Sequence, residues 1–216
     1  MGRGSSGTRR AGGGGGLNPA DIVSTELMTW SGQRTQAEQD FFNVAEALHN
    51  EYGNSGVPQN FFLIADLKGR AANNVIAYYD GSNVGLNRNF LNSPQLTSAY
   101  DQCVKQGFHP GRGNKSAAEA VAAHELGHRL TDAAGAKMGT GISIDSAAGR
   151  IVNEARQQTN HRGVIKMASK ISGYATASNA ETVAEAFADV FCNGSKAAAE
   201  SRAVVNVLNK YVKGSG

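Results

Sequence analysis

SAAEAVAAHELGHRLTDAAG, residues 116–135, reads at its ends as a capped helix and in its middle as something a plain helix has no use for. Ser116 followed three residues later by Glu119 is the capping-box pattern, which sets the helix start within a turn of residue 117. Alanines, with Leu126 and Leu130 four apart, carry the helix to about Ala134, and Gly135 is the expected stop. Within it His124 and His128 stand one turn apart on the same side, so their imidazoles can grip one ion. Glu125 sits about 100° further round the axis, where it can reach a water on that ion without competing as a ligand. Gly127, between them, permits a close backbone approach.

Two histidines leave a catalytic zinc site one protein donor short. The extended pattern that adds a third histidine to the same segment needs Gly at 131 and His at 134; the chain has Thr131 and Ala134, which excludes it. The better source is ASNAETVAEAFADVF, residues 177–191, where Glu181, Glu185 and Asp189 form a carboxylate stripe at every fourth position. A wider apolar stripe lies opposite: Val183, Phe187, Val190 and Phe191. A solvated surface helix would show the same two faces, so the stripe gains meaning only beside HELGH. Period alone does not choose between Glu181, in the first helical turn where a carboxylate is favoured, and Glu185, one turn deeper. A ligating histidine gives its other ring proton to a carboxylate or carbonyl, and Glu185 or Asp132 can accept it. Of the other histidines, His49 ends an early helix, His161 lies at a junction, and His109, in a Gly/Pro loop, fits a cleft better than a ligand set.

The rest of the chain supplies a frame. Phe41, Val44, Ala45 and Leu48 recur at helical spacing in a helix over 35–52. The period then changes: 60–67, 74–80 and 83–91 read as strands, and the Asp80-Gly81 turn makes at least the last two antiparallel. Helices are expected over 94–106, 145–158, 161–170, 179–192 and 196–212. This predicts an α+β fold, a small and mostly antiparallel sheet packed against helices. Residues 1–17 read as a flexible Gly/Arg-rich arm and 18–216 as a single domain, with the motif-bearing core at about 60–192.

Charge limits the partners. The net charge of +3 resides in the arm, where Arg3, Arg9 and Arg10 have no acid beside them; the body is formally neutral and lacks the basic excess of a nucleic-acid-binding domain. A weak nucleic-acid contact is therefore expected of the arm alone. No run of 18 apolar residues occurs, so no membrane span is expected, and the start of the chain lacks the apolar segment of a secretory signal. Cys103 and Cys192 fit two thiols or one bridge.

Taken together, HELGH and YATASNAETVAEAF (174–187) resemble the gluzincin zinc metallopeptidases. Within that group the likeness is to the branch holding the metallopeptidase domain of anthrax lethal factor and related domains in bacteriophage structural and toxin proteins, and it covers roughly residues 83–192. The resemblance implies a zincin-like fold with the HExxH helix at its active site, and Zn2+ held by His124, His128 and Glu181. It makes Glu125 the general base and places Glu185 behind the ligands in support. Tyr174, seven residues before Glu181, matches the family tyrosine that faces the reacting water and stabilises the oxyanion. The strand over 83–91 corresponds to the substrate-binding edge strand. The implied activity is peptide-bond hydrolysis through a metal-activated water, on a peptide or protein substrate. Phage structural proteins are the implied partners, in the virion or the host cytoplasm. Two other functions fit the same residues: a virion-associated structural or assembly protein that uses the domain for binding with little turnover, and a zinc hydrolase of non-peptide amides.

Overall fold

A computed structural model describes residues 17–28, 34–55 and 61–214. Residues 1–16 of the arm, with the nucleic-acid contact expected of them, lie outside the described residues.

Among the described residues four strands form one sheet in the order β1 (Ile22–Leu27), β2 (Phe62–Leu67), β4 (Val84–Asn87), β3 (Ala77–Tyr79). β1 and β2 are antiparallel, β2 and β4 parallel, and β3 and β4 antiparallel. The antiparallel hairpin across Asp80-Gly81 is as expected, and Gly81 adopts the positive φ, 95°, that such a turn needs. The sheet is mixed, however, because the chain crosses from β2 through a short helix, α2 (Ala71–Asn74), to β3 at the edge and returns by the hairpin to β4, which lies parallel to β2.

Two expectations about the sheet need correction. β1 adds a strand the sequence hides: only its first residue is half-buried and the rest face solvent, so no alternation marks it. The 83–91 segment is not an edge strand. β4 lies between β2 and β3 with all four residues buried, and the sequence continues into a 3-10 turn at Arg88–Phe90. Gly85 suits that interior place, because a β-carbon there would collide with the Tyr78 ring lying across it. The edge on this side is β3.

Helices cover one face of the sheet. α1 (Gln36–Tyr52) starts with a full capping box from Thr35 and Glu38 and buries Phe41, Val44, Ala45 and Leu48, as its spacing predicts. α3 (Ser93–Lys105) ends where Gly107 turns with φ 68°. α4 (Ala117–Met138) carries HELGH; Glu119 N–H donates to Ser116 Oγ at 3.0 Å and Ser116 N–H to Glu119 Oε2 at 2.7 Å. α4 passes through Gly135 and stops only at Gly139. Gly135 serves proximity instead: a β-carbon there would lie 3.2 Å from both the Ala147 β-carbon and the Ile142 carbonyl oxygen.

α5 (Ile144–Gln158), α6 (Val164–Ala168), α7 (Asn179–Asn193) and α8 (Ala199–Lys213) complete the chain. The helix expected over 161–170 shrinks to the five residues of α6. α4 is buried on nearly every side and lies at the centre, with α7, α1, α5, α8 and β3 packed around it. No helix of the described residues is long and apolar enough to cross a membrane.

Candidate metal centre

Three segments build the site. α4 presents His124, Glu125 and His128; α7 presents Glu181 and Glu185; the loop between α3 and α4 brings in His109. The acidic stripe of α7 does not face water: Glu181, Glu185 and Asp189 are all buried, so this helix is enclosed on both faces. Asp189 has a structural task, accepting hydrogen bonds from Ser201 Oγ at 2.6 Å and Ala198 N–H at 2.9 Å, which fix the start of α8.

Glu181 is the acid that meets the histidine pair. Its Oε2 lies 3.2 Å from His124 Nε2 and 3.5 Å from His128 Nε2, and one donor atom from each of the three residues falls within 4.8 Å of the others. None of those three atoms has a hydrogen-bond partner, although all are buried. Unpaired polar atoms in an interior are costly. Three that converge, two imidazole nitrogens and one carboxylate oxygen, form the donor set and number that a tetrahedral zinc site uses, with a corner left for water. The residues present therefore fit a divalent ion of this class.

Charge runs the same way. Burial would raise Glu181, but the close approach of the His124 and His128 rings holds its carboxyl far below the usual range. Burial pulls His124 down, and its contacts with Glu181 and Glu185 outweigh this and raise it. The pocket is thus built around positive charge, which a proton or a metal ion can supply.

Behind His124, Glu185 is buried and ionised, held at about 2 despite its burial by the charge and hydrogen bond of His109 and by His124. Its Oε1 accepts from His109 Nδ1 at 2.9 Å and lies 2.8 Å from His124 Nδ1, off the axis of that ring's N–H. Its Oε2 accepts from Ser172 Oγ at 2.7 Å. Asp132, the other candidate for this place, is engaged elsewhere: Tyr79 donates to its Oδ2 at 3.1 Å, and Arg129 lies 3.7 Å from it. That bond clips the edge strand to α4.

Glu125 is fully enclosed, and neither carboxylate oxygen has a hydrogen-bond partner. Burial is the main cause that raises its pKa, with the histidines opposing. A carboxylate so placed is a better proton acceptor than a solvated one. Tyr174 is also buried, its ring stacked 6.0 Å from that of His124. Burial first, then the Glu181 and Glu125 charges, raise its hydroxyl well above the ordinary value, so it remains a donor.

A cleft of about 640 Å³ reaches His128 and Glu181 from outside. Tyr79, Asp80 and Gly81 form one wall and Asp132, Asp145 and Ser178 stand along it. Tyr78 and Tyr79 of β3 are among the residues that line it. Asn87 N–H bonds Ile76 O and Asp80 N–H bonds Asn83 O, so by antiparallel alternation the main-chain groups of Ala77 and Tyr79 point away from β4, along the free edge.

No protein-family model, curated protein or solved structure matches this chain. Sequence spacing brought out five of the site residues, His124, Glu125, His128, Glu181 and Glu185; Tyr174 came from the resemblance. His109 and Ser172 were missed as Glu185 partners, because nothing in spacing ties residues 76 and 13 positions away to that carboxylate.

Proposed function

We propose that the protein is a metal-dependent hydrolase of peptide bonds, with zinc the ion that its donor set suits best. One observation carries the reading: three buried, unpartnered donor atoms from His124, His128 and Glu181 converge, with the unpartnered carboxylate of Glu125 on the same helix as the two histidines, and two of the three, His128 and Glu181, line a cleft. An ion held there would act as a Lewis acid on a carbonyl oxygen and make a nearby water more acidic. An extended peptide laid against β3 pairs its main chain with Ala77 and Tyr79. Glu125 takes a proton from the water whose oxygen attacks the carbonyl carbon, and passes it to the amide nitrogen as the C–N bond breaks. The Tyr174 hydroxyl donates to the carbonyl oxygen as that oxygen gains charge.

A second reading has its own support. Glu125 and Tyr174 are enclosed, and neither lines the cleft that reaches His128 and Glu181. This favours a binding domain with little turnover, used in structure or assembly; phage structural partners and a virion setting follow from the resemblance alone.

Elemental analysis of protein purified without a metal-binding tag, together with digestion of an unfolded protein by the loaded form, separates the two. About one zinc per chain and new amino termini that disappear in Glu125→Gln support the hydrolase. Zinc without cleavage supports the binding domain, and no zinc in wild type with all three donors intact removes both.

A further inference from the structure

The loop between α3 and α4 is fastened at more points than a connection requires. Arg112 forks onto Asp101 with Nε at 2.9 Å and Nη2 at 3.1 Å, and its Nη1 holds the Lys115 carbonyl at 2.6 Å. Tyr100 Oη donates to Pro110 O at 3.2 Å, and Asn193 of α7 donates to Gly111 O at 2.6 Å. Two main-chain bonds tie the loop to the segment before α7: Gly173 N–H to Gly107 O at 2.8 Å and Tyr174 N–H to Phe108 O at 3.0 Å. All of this fixes one imidazole. The His109 ring stacks on Tyr100 with centroids 5.4 Å apart and planes 4° from parallel. It also meets the edges of Tyr174 and His124, at 5.6 and 6.2 Å.

In that position His109 faces Glu185. An ionised carboxylate only accepts, so His109 Nδ1 carries the proton of the 2.9 Å bond. This bond is aligned, whereas the 2.8 Å approach of the same oxygen to His124 lies off the ring N–H axis. Glu185 thus takes its orientation from His109 on one oxygen and Ser172 on the other, and presents the result to His124. When Oε1 accepts the His124 Nδ1 proton, the free electron pair of that ring is on Nε2, the atom that faces His128 and Glu181.

We infer that His109 is a positioning residue of the metal centre: it holds the Glu185 carboxylate where that group sets the tautomer and direction of His124, and so governs how tightly the centre holds its ion. The inference rests on the metal reading above. It identifies a histidine, 15 residues before the first ligand, that acts without touching the ion.

The test compares full-length wild type with His109→Phe, which keeps a ring against Tyr100, and His109→Asn, whose amide N–H can stand where Nδ1–H stood. Zinc affinity is measured by competition with a chelator, and thermal unfolding is followed on the metal-free forms. His109→Phe should bind zinc roughly 10- to 100-fold more weakly, the range found for such supporting partners, and should also lose some metal-free stability, because it leaves the buried Glu185 carboxylate one donor short. His109→Asn should recover most of the affinity. A folded His109→Phe that holds zinc as tightly as wild type overturns the inference and leaves the metal centre standing; wild type that takes up no zinc removes the centre itself. Nitrogen NMR of the wild-type histidines decides the matter should the Phe variant not fold. A His109 protonated at Nδ1 in the zinc-loaded protein is required, and one protonated only at Nε2 overturns the assignment.

Discussion

Gly127 of α4 faces Ala184 of α7 so closely that a β-carbon on Gly127 would lie 2.9 Å from the Ala184 α-carbon. That spot lies between His124 and His128 along one helix, one residue before His128, and between Glu181 and Glu185 along the other, one residue before Glu185. The missing side chain therefore sets the distance at which the carboxylates meet the imidazoles. The backbone of a packed helix cannot yield as the tip of a flexible side chain can.

Gly127→Ala should accordingly push the helices apart. Overpacking of this kind costs about 1–3 kcal/mol, partly offset by the better helix propensity of Ala. Urea unfolding should show the loss, and zinc affinity should fall further than stability does. Affinity that follows stability alone would mean the crossing distance is not what tunes the donors.

Zinc should stabilise the wild-type fold. At about 100-fold excess over Kd the gain is about 2.7 kcal/mol, and for a domain of this size it should raise Tm by roughly 5–10 °C. Glu181→Gln retains the shape and removes the anionic donor, so calorimetry should find most of that rise gone. A full rise in the variant would place the third ligand elsewhere.

Glu125→Gln should keep zinc uptake, because its carboxylate is not among the converging donors. Turnover should drop about 10²- to 10⁴-fold, the usual worth of a positioned acid–base group. Tyr174→Phe should also keep zinc and lose roughly 10²-fold in kcat with KM little changed, as expected of a donor that acts on developing charge. Steady-state kinetics on one peptide checks both.

Asp101 gives a pH dependence away from the metal. The Arg112 hydrogen bonds, with burial opposing and the Arg112 charge assisting, hold its carboxyl below the unfolded value of 3.8. Its contribution is therefore complete above that value and is lost as the pH falls through the lower folded one. The pair is partly exposed, so the worth is about 0.2–1 kcal/mol. Asp101→Asn should be less stable than wild type at pH 7 by this amount, and the difference should shrink as the pH falls below 3.8 through the lower folded value. A constant gap in denaturant unfolding across that range would remove the ion pair as its cause.

The helices and the histidine pair were legible because each left a local mark: a capping box at Ser116, a four-residue interval between His124 and His128, a repeating acid on α7. What escaped depends on neighbours that no local pattern names. Gly135 resembles a helix stop and is a packing contact; Ile22–Leu27 is a strand held by pairing with β2 while its side chains face water. Val84–Asn87 reads as a strand in sequence, but only the parallel pairing with β2 shows that it is interior. Glu181 and Glu185 could not be told apart by period because both point the same way. Their separate partners, His128 for one and His109 for the other, divide them.

β3 has three residues, and two of them, Ala77 and Tyr79, turn their amides to the open side. On the proposed hydrolase reading, a rim so brief would offer a guest chain little main-chain adhesion, and selectivity would rest on side chains that line the cleft, Asp80, Asp132 and Asp145 among them. A dock of that kind would suit unstructured segments better than partners gripped along their length.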